Sequence, residues 1–308
     1  MLNLLSQWVA PLIIALLISS IAFTYIGSIA RISDQSMQPN FNEGDIVWIK
    51  KIGFNQQFLG LSIPPIQIPL GSIGKGTLKR GNTVAIFQPE KKLKSIKRLV
   101  GMPGDTLKLK RRSILVNGEK WDYPVVQSHY YRISFKSEKD KKRLLRTNSS
   151  AFLGPLKDRK FFLFNLDDST YHEILSDSGI AFIHPLFSGP KVKNEAIWPY
   201  WKRYGWNESM MGPFYVPQKG DSILLNAHSF NLYKDLIAKY EGVFLNKSGS
   251  EIRINGEIAT HYTFKRDYVF VIGDNIPISY DSRFYGPLPK DYIFGRISCL
   301  IFSNFGVE

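Results

Sequence analysis

A chain of 308 residues with 44% hydrophobic and 21% charged side chains can bury a sizeable core, which excludes wholesale disorder. The single cysteine, Cys299, excludes an internal disulfide and any metal site built from several thiolates. A formal charge of +14 leaves three explanations open: nucleic acid, an anionic membrane surface, or solubility alone.

Residues 1–30 separate these. They carry no charged side chain, and Val9 to Ile29 is almost continuously apolar. About 20 such residues suffice to cross a bilayer core of roughly 30 Å. The segment before Val9 has no Lys or Arg, unlike the basic start of a cleavable leader, so the expectation is a retained N-terminal transmembrane helix. A basic domain tied to a bilayer sets its charge against anionic lipid head groups and not nucleic acid. The positive-inside rule would hold Arg31, Lys50 and Lys51 in the cytoplasm, but it weakens ahead of a long domain and leaves orientation open.

Beyond residue 30 the pattern predicts short strands and turns. Asp45–Lys51, Arg80–Phe87 and Ser95–Val100 are rich in β-branched and apolar residues. Phe58–Leu70 is apolar but holds three prolines, which suits a loop packed on the core or dipping into a membrane interface. Asn117-Gly118 signals a tight hairpin turn, and the pattern recurs at Asn255-Gly256. Lys136–Arg146 reads as a solvated helix face or loop. Ser229–Tyr240 places Leu232, Leu236, Ile237 and Tyr240 at helical spacing ahead of Gly242. The expected fold is mostly β: an anchor over 1–30, a β domain over 31–120 and 213–308, and an insertion over 121–212 of unassigned role.

The chemistry narrows by elimination. His129, His172, His184, His228 and His261 are dispersed, with no HExxH pair, and no phosphate-binding GxxxxGK[ST] loop is present. Nothing calls for a metal or cofactor. A Ser-His-Asp triad stays open, but no nucleophile-elbow motif serves it.

Three blocks stand out. Ser33-Asp34-Gln35-Ser36-Met37-Gln38-Pro39 follows the apolar segment. Ile96-Lys97-Arg98-Leu99-Val100-Gly101-Met102-Pro103-Gly104-Asp105 comes next, and Gly273-Asp274-Asn275 leads to Ser279-Tyr280-Asp281-Ser282-Arg283. In this order they resemble the boxes of type I signal peptidases, over residues 1–120 and about 212–303; parts of the later stretch look like the enzymes of Bacteroidetes-type bacteria. The resemblance implies Ser36 as nucleophile, Lys97 as general base, Ser279 as the hydroxyl orienting that base, and Asp281 with Arg283 as a supporting ion pair, with Asp274 in a similar part. Asp34, Ser36 and Ile96 fall at the oxyanion and substrate pocket.

The residue types suit that chemistry. A serine hydroxyl needs a base, and a lysine serves only when neutral, although its unperturbed pKa is about 10.4. Burial can lower a lysine by roughly 3–5 units, and Ile96, Leu99 and Val100 supply an apolar setting; an arginine stays charged. Three positions depart from the family pattern. Asp34 stands where Ser, Thr or Gly is usual, Ser95 replaces a frequent aromatic residue, and Ile276-Pro277-Ile278 replaces polar residues. An ionised Asp34 would repel a developing oxyanion unless it turns away or the backbone alone forms the oxyanion hole.

What the resemblance implies is cofactor-free removal of signal peptides from exported preproteins, with small residues preferred one and three positions before the cut. The catalytic domain would lie on the extracytoplasmic side of a bacterial plasma membrane. Other readings are a catalytically silent homologue that binds signal peptides or scaffolds a translocation complex, a Ser/Lys protease with another target, and a basic lipid-binding membrane protein.

Overall fold

The computed structural model describes residues 8–15, 27–51, 77–88, 93–111, 113–123, 128–156, 160–186 and 192–303. Within it, Gly27–Arg31 (β1), Ile46–Lys51 (β2), Thr83–Gln88 (β3) and Leu93–Gly101 (β4) join three later strands in one seven-stranded sheet. Its order is β1, β2, Ile293–Phe302, β3, β4, Tyr268–Ile272, Leu288–Pro289, and each neighbouring pair is antiparallel.

All five residues of the Tyr268–Ile272 strand are buried because the sheet is covered on both faces there. Side chains alternate along a strand, so Val269 and Val271 pack with Val84, Ile86 and Leu99. Tyr268, Phe270 and Ile272 face the opposite core, with Val100, Trp198, Phe214 and the Ala227–Glu241 helix. That helix buries Leu232, Leu236, Ile237 and Tyr240 and ends at Gly242 with φ 65°, a left-handed cap that favours glycine.

A second sheet runs Met210–Tyr215, Thr106–Lys110, Ser113–Val116, Glu119–Trp121. Asn117 and Gly118 make its hairpin turn with φ of 54° and 90°, and Asn255-Gly256 makes another between Glu251–Ile254 and Glu257–Ile258. The Met210–Tyr215 strand runs across the expected insertion limit at residue 212.

The middle of the chain builds a four-stranded sheet in the order Ile180–Pro185, Ser128–Phe135, Phe162–Asp167, Phe152–Pro155. Helices Glu138–Thr147 and Asp168–Ser176 accompany it, and Tyr131, Ile133, Phe164, Leu166 and Ile174 form a core of their own. The charged run of 136–146 thus lies mostly in a helix, whose buried residue is Leu144.

One expectation is corrected. Among the described residues no helix is long and apolar enough to cross a membrane. Residues 8–15 are helical. The expected transmembrane helix over 1–30 is therefore not found among the described residues. The Phe58–Leu70 loop lies outside the described residues.

Candidate active site

The turn between β1 and β2 carries Ser36. Met37, fully buried beside it, anchors the turn and accepts the amides of Asn40 and Phe41 on its carbonyl. From the other side, Asn275 donates its amide to Ser36 O at 3.0 Å and its side chain to Gln35 O at 3.0 Å. Two chain segments more than 230 residues apart, as the Gln35–Asn275 separation of 240 shows, thereby hold one short turn.

Strand β4 supplies the adjacent pair Lys97 and Arg98. Consecutive strand residues point to opposite faces, so the two cations have separate partners. Lys97 Nζ lies 2.7 Å from Ser36 Oγ and donates to Ile96 O at 3.0 Å. Lys97 is 2% exposed and Ser36 6%. Burial strips water from the Lys97 ammonium and holds its pKa below the ordinary 10.5; Asp34, Asp281 and Asp274 oppose that shift, and Arg283 adds to it. With the amine neutral, the 2.7 Å bond runs the other way, from the Ser36 hydroxyl to Nζ.

Arg98 makes a bidentate pair with Asp274, at 2.8 and 2.6 Å, and reaches Gly81 O at 2.8 Å. The Asp274 carboxylate also accepts from Tyr123 Oη at 3.0 Å and Asn40 Nδ2 at 3.1 Å. Several donors satisfy this carboxylate, which is what a buried charge requires.

Asp281 and Arg283 form the expected ion pair, with Nε to Oδ1 at 2.8 Å and Nη2 to Oδ2 at 2.9 Å. Asp281 accepts the Gly273 amide at 3.0 Å and caps the Ser282–Tyr285 helix, while Arg283 gathers the carbonyls of Ile276 and Ser279. Both are essentially unexposed. The pair ties the two ends of the 273–283 loop together. Ser279 sits in this loop, 2% exposed, and its hydroxyl has no hydrogen-bond partner among the described residues. It is near Ser36: a Cβ added to Gly273 would come within 2.2 Å of Ser279 Oγ and 2.5 Å of Ser36 O. Glycine is required there by close approach.

Asp34 does not turn away from Ser36. Its Oδ1 accepts the Ser36 amide at 2.9 Å, so the backbone donor suited to an oxyanion is held by a carboxylate. Asp34 and Ile96 also line a pocket of about 210 Å³, together with Ile29, Ile32, Met37 and Ala85. Ser95 lines it as well, and this small side chain leaves room that an aromatic residue would fill. The pocket opens beside the Ser36 turn and is mainly apolar.

No group of three or more His, Cys, Asp or Glu able to hold a metal ion occurs among the described residues. Sequence reasoning assigned no partner to Asp274 and no role to Asn275, Tyr123 or Asn165. The donor in the last case is an isolated polar residue in the apolar run Phe161-Phe162-Leu163-Phe164-Asn165-Leu166, the signal that could have revealed it.

Comparison with known proteins places this chain in a family. The sequence pattern of the family described as signal peptidase, peptidase S26, matches residues 5–178 and 215–302. The chain is 24% identical over 178 residues to signal peptidase I P of Bacillus subtilis subsp. natto, covering 58% of this chain and 81% of that protein. It is 24% identical over 181 residues to signal peptidase I T of Bacillus subtilis (strain 168), covering 59% and 79%. With signal peptidase IB of Staphylococcus aureus the identity is 28% over 120 residues, covering 39% and 52%. The chain belongs to the signal peptidase family, peptidase S26, and is a serine peptidase that removes signal peptides.

Proposed function

We propose that signal-peptide removal runs on a Ser36/Lys97 dyad, and the 2.7 Å approach of Lys97 Nζ to Ser36 Oγ inside a buried site is the observation that carries this reading. The neutral amine takes the Ser36 proton as Oγ attacks the scissile carbonyl, giving a tetrahedral oxyanion. Lys97 then passes that proton to the leaving amine, and the C–N bond breaks to leave an ester on Ser36. A water, deprotonated by the same amine, attacks the ester, and Lys97 returns that proton to the departing Ser36 Oγ, which frees the acid product and restores both side chains. Every proton is accounted for by one amine, so no cofactor is needed.

The oxyanion must use the Ser36 amide, which Asp34 holds at rest. Asp34 is exposed, so its carboxylate swings into solvent when the carbonyl arrives. The mainly apolar pocket beside Ile96 accepts small side chains before the cut. Substrates are exported preproteins, met on the extracytoplasmic side of a bacterial plasma membrane, and the charge of +14 draws the protein to anionic head groups there. Sedimentation with anionic vesicles at low and high salt checks the last point; no binding in low salt would refute it.

Cleavage of a purified preprotein by wild type, Ser36→Ala and Lys97→Met tests the dyad. Wild type should cut, and both variants should lose at least about 10³-fold in kcat. Equal activity in all three would overturn the dyad.

A further inference from the structure

We propose that Asn165, in the unassigned middle segment, is a positioning residue for the nucleophile turn, acting through Asn275. This rests on the reading of Ser36 as nucleophile. The Phe162–Asp167 strand turns Phe164 and Leu166, each 1% exposed, into the core of the middle sheet. Strand alternation then sends Asn165 out of the opposite face. There its Nδ2 donates to Asn275 Oδ1 at 3.2 Å.

Asn275 is 1% exposed and carries the contact onward. Its side-chain amide has two ends. Asn165 holds the oxygen end, so the nitrogen end faces Gln35 O at 3.0 Å, while the Asn275 backbone donates to Ser36 O at 3.0 Å. The bond from Asn165 therefore selects one of two orientations that a buried amide could adopt, and only that orientation grips the carbonyl preceding Ser36.

A second observation separates this role from general stability. Asn165 Oδ1 is buried without a hydrogen-bond partner among the described residues. A buried, unsatisfied acceptor opposes folding, so a side chain placed there for stability would be apolar, like its neighbours Phe164 and Leu166. The same middle segment meets the 273–283 loop elsewhere: Tyr123 Oη donates to Asp274, and Glu208 O accepts from Arg283 Nη1 at 3.4 Å. These contacts fall on the same loop, and the one from Asn165 reaches the backbone of Gln35 and Ser36 through Asn275.

The test uses the full chain and a purified preprotein. Asn165→Asp keeps the shape but replaces the donor with a second acceptor, and Asn165→Ala removes both. Each should lower kcat about ten-fold, with KM within about two-fold of wild type and the melting temperature within about 2 °C, because only the aim of Ser36 changes. Asn275→Ala should show the same loss, and Asn165→Ala combined with it should add little, since both act along one path. Wild-type kcat in Asn165→Asp, a fall in kcat that tracks lost stability, or additive losses would each overturn the proposal. Ser36→Ala, measured alongside, keeps the two readings apart. An active Ser36→Ala refutes the nucleophile, whereas an inactive one beside wild-type Asn165 variants refutes only this inference.

Discussion

Asp34 Oδ1 accepts the backbone amide of Ser36 at 2.9 Å, so the residue two before Ser36 occupies the donor that the proposed reaction needs. A part-buried hydrogen bond of this kind is worth only about 0.5–1.5 kcal/mol net, which makes the contact a brake and not a block.

Releasing that brake should speed cleavage. Asp34→Ser should raise kcat roughly two- to ten-fold, the rate equivalent of the hydrogen bond that must otherwise be broken. Asp34→Asn retains a side-chain oxygen for the amide but loses the charge, so it should leave kcat at high pH near wild type. Both substitutions remove the foremost group raising the Lys97 pKa, and both should move the acid limb of the kcat/KM profile to lower pH. A slower Asp34→Ser enzyme would show that the carboxylate assists the turn instead.

The pH profile of the wild type follows from Lys97. The active form is the neutral amine, so kcat/KM should rise with pH through the Lys97 pKa. Burial should place that midpoint below the ordinary 10.5. Lys97→Arg should be inactive up to pH 10, because a guanidinium does not deprotonate there. An acid limb unchanged between wild type and Asp34→Asn would contradict the assignment of that limb to Lys97.

Stability should carry the same signature. With a folded pKa below the unfolded value of 10.5, the unfolded chain binds the extra proton across the window between them. The wild type should therefore gain stability relative to Lys97→Met as pH rises through that window. Urea midpoints of the two proteins at neutral pH and at pH 10 measure it, and parallel curves would argue against a depressed lysine.

Gly273→Ala should damage catalysis more than folding. The added methyl meets Ser279 Oγ at 2.2 Å and Ser36 O at 2.5 Å, the second being backbone of the nucleophile turn. Overpacking of this kind costs about 1–3 kcal/mol, yet a nucleophile displaced by about 1 Å can lose on the order of 10²-fold in rate. Comparing kcat with the melting temperature decides; an active variant would mean that the turn relaxes freely.

Asp274→Ala should be among the most destabilising single changes in the site. It leaves Arg98, whose side chain is 5% exposed, charged and without its carboxylate. Breaking such a buried pair from one side costs about 3–5 kcal/mol. Replacing both members, as in Arg98→Met with Asp274→Leu, should cost less in urea melts than the single change, since no uncompensated charge stays behind. A double variant worse than the single one would assign the pair a larger net stabilisation.

Much of the site was legible in the linear chain because its chemistry sits in short blocks with unusual residue combinations. Ser36, Lys97, Asp281 and Arg283 could be picked out from such blocks, and strand and turn signals such as Asn117-Gly118 depend on local backbone preferences that neighbours rarely override. The apolar run after Val9 illustrates the opposite case. Composition sets only an upper limit on what a segment can do, and among the described residues no helix is long and apolar enough to span a bilayer.

By itself the sequence determined the mostly β class, the family blocks and the candidate dyad, since these rest on residue type and local order. Tertiary structure alone decided which groups meet. It set Arg98 against Asp274, brought Asn165 to Asn275, and left the Ser279 hydroxyl without a partner among the described residues. It also turned Asp34 onto the Ser36 amide, a choice between two rotations of one short side chain that no pattern of letters encodes. The physical reason is the same throughout: hydrogen bonds and ion pairs act over about 3 Å, and which atoms come that close depends on how distant segments pack.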